Sequence, residues 1–210
     1  MRMRKKKNGE ARFAACSDYV VTGREDIVRL GVFPCELEIG CGKGGFIAKM
    51  AELHPQTNFI ALEKITDALI TALENARERE IPNLRFINAN AERVPEFFQK
   101  GEVSTIYLNF SDPWPKARHA KRRLTYRTFL EKYKAVLADN GRIILKTDNR
   151  PLFDFSLEEF ALCGMRVTEV TYDLHRSPYN EGNVMTEYEK NFSEKGFPIH
   201  RAVVLMPDHS

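Results

Sequence analysis

The segment CELEIGCGKGGF, residues 35–46, joins a short apolar run to a glycine-rich turn and then to the start of a helical pattern. An apolar run of this length, bounded by glycine, is typical of a buried strand. Glycines at the start of the following helix let a ligand approach free backbone N–H groups closely. Gly40, Gly42 and Gly45 fit the pattern G-x-G-x-x-G, whereas Gly40, Gly42 and Gly44 fit G-x-G-x-G. We therefore predict a strand–turn–helix unit that binds a cofactor through Gly40 and Gly42, although glycine spacing alone does not identify the cofactor.

The alternation of strand and helix continues along the chain. Helical patterns follow the apolar runs, most clearly at residues 65–80 and 124–138. Runs typical of strands occupy residues 35–40, 58–63, 84–89, 104–110, 142–147, 166–174 and 199–206. Strands that alternate with helices indicate an α/β fold, in which a parallel sheet is covered by helices on both faces. The last two runs continue no strand–helix repeat, so we expect them to complete a seven-stranded, mostly parallel sheet with an antiparallel final strand.

Positive charge is concentrated in two parts of the chain. Residues 1–7 and residues 116–123 each contain five Lys or Arg and no acid, and the rest of the chain carries 22 basic and 29 acidic residues. Two acid-free clusters on an otherwise acidic protein favour binding of a polyanion, with nucleic acid as the first candidate. We expect residues 1–23 to be a basic, mobile arm and residues 24–210 to form a single domain.

Several classes of protein are disfavoured. No segment approaches the roughly 18 consecutive apolar residues of a membrane-spanning helix, and no apolar segment follows the basic N-terminus as it would in a secretory signal. The four cysteines have neither a C-x-x-C motif nor the spacing of metal ligands. We therefore expect reduced thiols in a cytoplasmic protein that needs no metal, with Cys41 as a packing residue rather than a nucleophile.

Polar side chains at the ends of three successive strands favour one cofactor over another. Glu38 lies near the end of the first strand, Glu63 ends the second and Asn90 follows the third. Open α/β sheets bind ligands at this edge, where an acid can accept the ribose hydroxyls and an amide can meet the adenine edge. A dinucleotide pyrophosphate would be repelled by Glu38, whereas the cationic amino group of S-adenosylmethionine would be attracted. We therefore favour S-adenosylmethionine over a nicotinamide cofactor.

The loop NFSDPWPKARHAKRR, residues 109–123, places an acid and an aromatic ring beside the second basic cluster. Asp112 ends the fourth strand, next to the expected methyl donor, and can accept hydrogen bonds from a base. Trp114 lies between two prolines that stiffen the loop; it either contacts the base or plugs the core. The phosphates of RNA would then be held by Lys116, Arg118, Lys121, Arg122 and Arg123.

Two later segments are also expected to place polar residues at this edge of the sheet. Asp148 follows the fifth strand. Thr186 and Glu189 have the S/T-x-x-E spacing of a capping box, which predicts the start of a helix. A helix start also offers free N–H groups, so this segment can contact substrate as well.

Four segments together resemble a known family, the bacterial tRNA (guanine-N7)-methyltransferases. They are LEIGCGKG, YLNFSDPWPKARHAKRRL, LKTDN and GNVMTEYE. The resemblance implies a Rossmann-like class I methyltransferase fold and the methylation of a guanine in the variable loop of tRNA, with S-adenosylmethionine as the donor.

The resemblance also implies roles for individual residues. The family's cofactor positions correspond to Glu38, Glu63, Asn90 and Asp112, although the family often has a carboxylate where this chain has Asn90. Asp112 also takes the place of the proposed catalytic acid, and the basic loop takes that of the RNA-contacting segment. Substrate positions correspond to Lys116, Asp148, Thr186, Tyr188 and Glu189.

Three alternatives and one question remain open at this stage. The chain can instead be an amine-type base methyltransferase, a nicotinamide-dependent oxidoreductase or an RNA-binding module without catalysis. The sequence does not distinguish a monomer from a homodimer.

Overall fold

The protein is described by a computed structural model that covers residues 7–31 and 33–206. A seven-stranded sheet is formed by Cys35–Ile39 (β1), Phe59–Leu62 (β2), Leu84–Ile87 (β3), Val103–Asn109 (β4), Leu137–Thr147 (β5), Arg166–Thr171 (β6) and His200–Leu205 (β7). The strand order is β3-β2-β1-β4-β5-β7-β6. Only β7 is antiparallel to its neighbours, β5 and β6. The predicted mostly parallel sheet with an antiparallel final strand is confirmed.

Helices cover both faces of the sheet, as predicted. They are Gly9–Ala14 (α1), Arg24–Leu30 (α2), Gly45–Leu53 (α3), Thr66–Glu78 (α4), Val94–Phe97 (α5), Arg127–Lys134 (α6), Arg150–Leu162 (α7) and Glu187–Ser193 (α8). Successive residues of a strand point to opposite faces, and each face has its own apolar core. In β2, for example, Ile60 belongs to the core that includes Phe129 of α6, while Ala61 belongs to the core that includes Phe46 of α3.

The helix predicted over residues 124–138 is shorter than expected. It spans only Arg127–Lys134, because β5 already begins at Leu137. Val136 and Leu137 are fully buried, and the carbonyl of Val136 accepts a hydrogen bond from Val103 of β4. Pairing with the neighbouring strand therefore overrides the helical pattern at the end of this segment.

Residues 7–23 pack against the domain. Arg12 of α1 forms an ion pair of 2.7 Å with Glu74 of α4, and the N–H of Val21 donates to the carbonyl of Phe86 in β3 at 2.8 Å. Cys16 and Val21 are buried. Residues 1–6 of the expected arm lie outside the described residues. The mobility of the arm and the boundary at residue 24 stay predictions.

The strand order puts the topological switch point between β1 and β4. The chain runs from β1 outward to β2 and β3, then returns across the sheet to β4 on the other side. Open α/β sheets bind ligands in the crevice at the carboxyl ends of strands on either side of such a point. None of the described helices is long and apolar enough to cross a membrane.

Candidate active site

The glycine-rich turn after β1 has a conformation that few other residues adopt. Gly40, Gly42 and Gly44 have φ of 80°, 57° and 75°, in the left-handed region. A Cβ at Gly44 would also lie 2.7 Å from the Cβ of Ala72 in α4, so this position needs glycine for space as well. Around Gly40 and Gly42 a Cβ would meet nothing within 4 Å. The turn thus packs closely against α4 at one end and leaves open space at the other.

Two cavities adjoin at this turn. The larger, of about 560 Å³, is lined by Gly40, Gly42, Glu63, Asn90, Asp112 and Trp114, among others. The smaller, of about 220 Å³, is lined by Glu38, Gly40, Gly42, Asn109, Thr186 and Tyr188, among others. Phe110 lines both cavities. Of the residues predicted for cofactor or substrate, Glu38 shares the smaller cavity with Thr186 and Tyr188. Lys116, Asp148 and Glu189 line neither cavity.

Glu38 brings a carboxylate into the wall of the smaller cavity. It is 2% exposed, and its Oε1 accepts a hydrogen bond of 2.9 Å from Nδ2 of Asn109. Its Oε2 has no hydrogen-bond partner among the described residues. Burial raises the pKa of Glu38 to about 7, although Asn109 and the nearby Lys146 oppose the rise. A cationic ligand group would satisfy Oε2 and favour the ionised form.

Glu63 and Asn90 both line the larger cavity. The carboxylate of Glu63 accepts the backbone N–H groups of Gly42 at 3.0 Å and Ile65 at 2.8 Å. This fixes the end of β2 to the glycine turn and leaves lone pairs free on both oxygens. Asn90 caps a short 3₁₀ turn, with Oδ1 accepting the N–H of Glu92 at 3.4 Å.

Asp112 lies on the larger cavity in a loop with an unusual backbone. Phe110 and Trp114, on either side of it, have positive φ of 50° and 42°. Such conformations cost about 1–3 kcal/mol each in residues other than glycine and cluster at functional sites. The N–H of Phe110 donates to the carbonyl of Lys146 in β5 at 2.8 Å, which holds the start of the loop. The carboxylate of Asp112 is exposed.

The basic residues after this loop fall into two groups. Lys116, Arg118, Lys121 and Arg122 are exposed on or beside a 3₁₀ helix over Ala117–Arg122. The guanidinium of Arg122 lies 4.9 Å from the ring centroid of Trp114. Arg123 is half-buried and donates hydrogen bonds to the carbonyls of Pro113 and Trp114. Four of the five predicted RNA contacts thus face solvent, and one bonds its own loop.

The predicted substrate residues at α8 also differ in their surroundings. Thr186 and Tyr188 line the smaller cavity, and the hydroxyl of Tyr188 donates to Oδ2 of Asp148 at 3.4 Å. The capping box of Thr186 and Glu189 is confirmed. The side chain of Glu189, however, is 0% exposed and forms an ion pair of 2.7 Å with Lys146. Lys116 is exposed outside both cavities.

Two residues of the site were not predicted from the sequence. Asn109 binds Glu38 directly, and Lys146 supports both Phe110 and Glu189. Both are polar side chains in apolar strands, and a buried polar group needs a partner. That rule is the signal that points to them, although it does not name the partner.

The described residues offer little for nucleophilic or metal chemistry. Burial raises the pKa of the Cys41 thiol well above its usual value, so it stays protonated and fits the predicted packing role. No group of three or more His, Cys, Asp or Glu in the described residues is placed to hold a metal ion.

Comparisons with known proteins agree with this geometry. A family model described as "Putative methyltransferase" matches residues 33–202. Among solved structures, an antibiotic-related methyltransferase covers 89% of this chain and 95% of its own, with a TM-score of 0.66 at 17% identity. The 16S rRNA methyltransferase KamB covers 98% and 96%, with a TM-score of 0.63 at 16% identity. These matches show the class I methyltransferase fold.

Closer relatives identify the family. The tRNA (guanine-N(7)-)-methyltransferase of Geobacillus sp. (strain WCH70) is 48% identical over 99% of this chain and 96% of its own. That of Bacillus cytotoxicus is 52% identical over 80% of this chain and 77% of its own. With about half of its residues identical over nearly its whole length, this chain belongs to the family of tRNA (guanine-N(7)-)-methyltransferases.

Proposed function

We propose that this protein transfers a methyl group from S-adenosylmethionine to N7 of a guanine in the variable loop of tRNA, forming 7-methylguanosine. The observation that supports the cofactor most directly is Oε2 of Glu38, a buried carboxylate oxygen beside the open glycine turn that has no hydrogen-bond partner among residues 7–31 and 33–206. A cationic amino group satisfies it, whereas a pyrophosphate would be repelled. Membership of the tRNA (guanine-N(7)-)-methyltransferase family supports a guanine of tRNA as the substrate.

The residues of the two cavities fit S-adenosylmethionine, whose amino-acid end carries the cationic group. We propose that Glu38 binds that end, and that Gly40 and Gly42 leave the space it occupies, since a Cβ at either position would meet nothing within 4 Å. Glu63 would then bind the ribose hydroxyls with its remaining lone pairs, and Asn90 would contact the adenine edge. When bound, the cofactor supplies an electrophilic methyl group attached to a positively charged sulfur.

Methylation at N7 of guanine demands little proton chemistry from the protein. N7 carries a lone pair, so one N–C bond forms and one C–S bond breaks without removal of a proton. The reaction therefore needs no general base and no metal ion to activate the nucleophile. The task of the site is to align the guanine with the donor, which is catalysis by proximity and orientation. As the base becomes a cation, the carboxylate of Asp112 would stabilise the developing charge.

The surfaces around the cavities suit a folded RNA substrate. We propose that Thr186, Tyr188 and Asp148 surround the guanine, since the first two line the smaller cavity and Tyr188 bonds Asp148. Lys116, Arg118, Lys121 and Arg122 would hold the phosphates of the surrounding backbone. We place the reaction in the cytoplasm, with the protein acting as a monomer or a homodimer.

The raised pKa of Glu38 leads to a prediction about stability without ligand. The folded protein holds the Glu38 proton more tightly than the unfolded chain does, so unfolding releases a proton between the two pKa values. The contribution of Glu38 to the free energy of unfolding should therefore fall as the pH rises from about 4.5 to about 7. Glu38→Gln cannot ionise, so it should gain stability relative to wild type over this range, by up to about 3 kcal/mol.

Urea unfolding at a series of pH values tests this prediction. Glu194→Gln serves as the matched control, because it neutralises an exposed acid, and it should show no such gain. A stability difference between wild type and Glu38→Gln that stays constant from pH 4.5 to pH 8 would contradict the role of burial at Glu38.

The proposed function is tested with methyl-labelled S-adenosylmethionine and unmodified tRNA. We expect label in tRNA, and chain cleavage specific for 7-methylguanine should map it to the variable loop. Label on adenine amino groups would instead indicate an amine-type enzyme. Binding of tRNA without donor binding would indicate an RNA-binding module, and thermal stabilisation by a nicotinamide cofactor alone would indicate an oxidoreductase.

A further inference from the structure

The side chain of Arg123 is hydrogen-bonded to its own loop, whereas the other basic side chains of that loop are exposed. Its Nε donates to the carbonyl of Pro113 at 3.0 Å, and its Nη2 donates to the carbonyl of Trp114 at 3.1 Å. The planar fork of one guanidinium thus bonds two successive carbonyls of the loop that carries Asp112. These contacts occupy the edge of the guanidinium formed by Nε and Nη2, which is one of the edges that can meet a phosphate.

The flat face of the same guanidinium is also in contact with the protein. Its central carbon lies 4.3 Å from the ring centroid of Phe155 in α7. The ring of Phe155 in turn stacks on Tyr126 at 6.5 Å with an angle of 8° between the planes. Arg123 therefore connects α7 to the loop of residues 110–116.

The loop needs such a connection. Trp114 has a positive φ of 42°, a conformation that persists in a residue other than glycine only where its surroundings hold it. The start of the loop is held by the bond from Phe110 to Lys146. In the described structure the carboxylate of Asp112 makes no hydrogen bond or ion pair of its own, so its direction depends on the backbone that Arg123 holds.

We propose that Arg123 is a positioning residue: it fixes residues 113 and 114 and thereby directs Asp112, and it does not bind a phosphate. This inference rests on the proposed function. Arg123 thus has a different role from the four neighbouring basic residues, which we still propose to contact RNA. The two roles have different kinetic signatures.

Arg123→Lys keeps the positive charge but loses the fork and the flat face. We expect kcat to fall by 10- to 100-fold, while KM for tRNA stays within twofold of wild type. Arg118→Ala, at an exposed residue that lines neither cavity, should behave in the opposite way: KM for tRNA rises several-fold, its dependence on salt becomes shallower and kcat changes by less than twofold. Arg176→Lys is the matched control, because that side chain is 89% exposed and far from the loop in sequence. It should leave both constants unchanged.

Trp114 offers a direct readout of the loop, since it is the only tryptophan in the chain. In Arg123→Lys we expect its fluorescence emission to shift to the red and its quenching by acrylamide to increase. Phe155→Leu removes the ring behind Arg123 and should shift both measurements in the same direction by a smaller amount. The melting temperature of each variant shows whether the domain is still folded, and Phe155→Leu provides the test if Arg123→Lys is not.

Two results would overturn the inference. One is a rise in KM for tRNA at unchanged kcat in Arg123→Lys, which is the signature of a phosphate contact. The other is an unchanged Trp114 emission and quenching in both variants. If the wild-type protein transfers no methyl group to tRNA, the proposed function fails, whereas the fluorescence of Trp114 still decides whether Arg123 holds the loop.

Discussion

Asp112→Ala is expected to lower kcat by at least 100-fold while leaving the melting temperature unchanged. Removing a single group that stabilises charge in the transition state commonly costs a factor of about 10² to 10³ in kcat. The carboxylate is exposed, and within the described structure it has no bonding partner, so little stability depends on it. Single-turnover methylation of tRNA at saturating donor measures the chemical step directly.

Asp112→Asn separates charge from shape in the same assay. The amide has the size of the carboxylate and can accept a hydrogen bond, but it carries no charge. If charge stabilisation is the main contribution, this variant should lose nearly as much activity as Asp112→Ala. Turnover close to that of wild type in Asp112→Ala would remove Asp112 from the mechanism.

Lys146→Met is expected to cost about 3–5 kcal/mol in the free energy of unfolding. The ammonium group of Lys146 donates to Oε2 of Glu189 at 2.7 Å, to the carbonyl of Val184 at 2.9 Å and to Oδ1 of Asn183 at 3.2 Å. Both side chains of the ion pair are nearly inaccessible, at 3% and 0%. Removing the lysine leaves a buried carboxylate without its cation, which is one of the most destabilising single changes.

Neutralising the partner provides the control for this prediction. In Lys146→Met/Glu189→Gln no uncompensated charge remains, so we expect the double variant to recover part of the lost stability. Glu131→Gln removes an exposed acid and should cost less than 1 kcal/mol. Denaturant unfolding of wild type, Lys146→Met, Glu189→Gln and the double variant gives the coupling energy. A loss below 1 kcal/mol in Lys146→Met would mean that this ion pair does not hold α8 in place.

Much of the fold could be predicted from local patterns alone. The apolar run over residues 35–40 and the glycines after it define a strand, a turn and a helix within one continuous segment. The prediction of a helix over residues 124–138 was wrong at its C-terminal end. Leu137 there begins β5, because it pairs with Val103, more than 30 residues away. Local periodicity contains no information about such a partner.

In the candidate site, too, residues at strand ends could be predicted, whereas contacts between residues distant in sequence could not. Glu38, Glu63 and Asn90 could be placed because each follows or ends a strand, and the ends of parallel strands meet at one edge. The pairing of Lys146 with Glu189 spans 43 residues, so the sequence could show a capping box at Thr186 but not that Glu189 is buried. Arg123 looks like its exposed neighbours in the sequence, and only its hydrogen bonds to Pro113 and Trp114 distinguish it.

In the proposed reaction the lone pair at N7 of a guanine in tRNA attacks the methyl group. The most direct test compares two tRNAs that differ only at the variable-loop guanine, which in one of them is replaced by 7-deazaguanine, a base with carbon in place of N7. Labelled S-adenosylmethionine should methylate the first tRNA and transfer no label to the second. Equal labelling of the two tRNAs would contradict attack by N7.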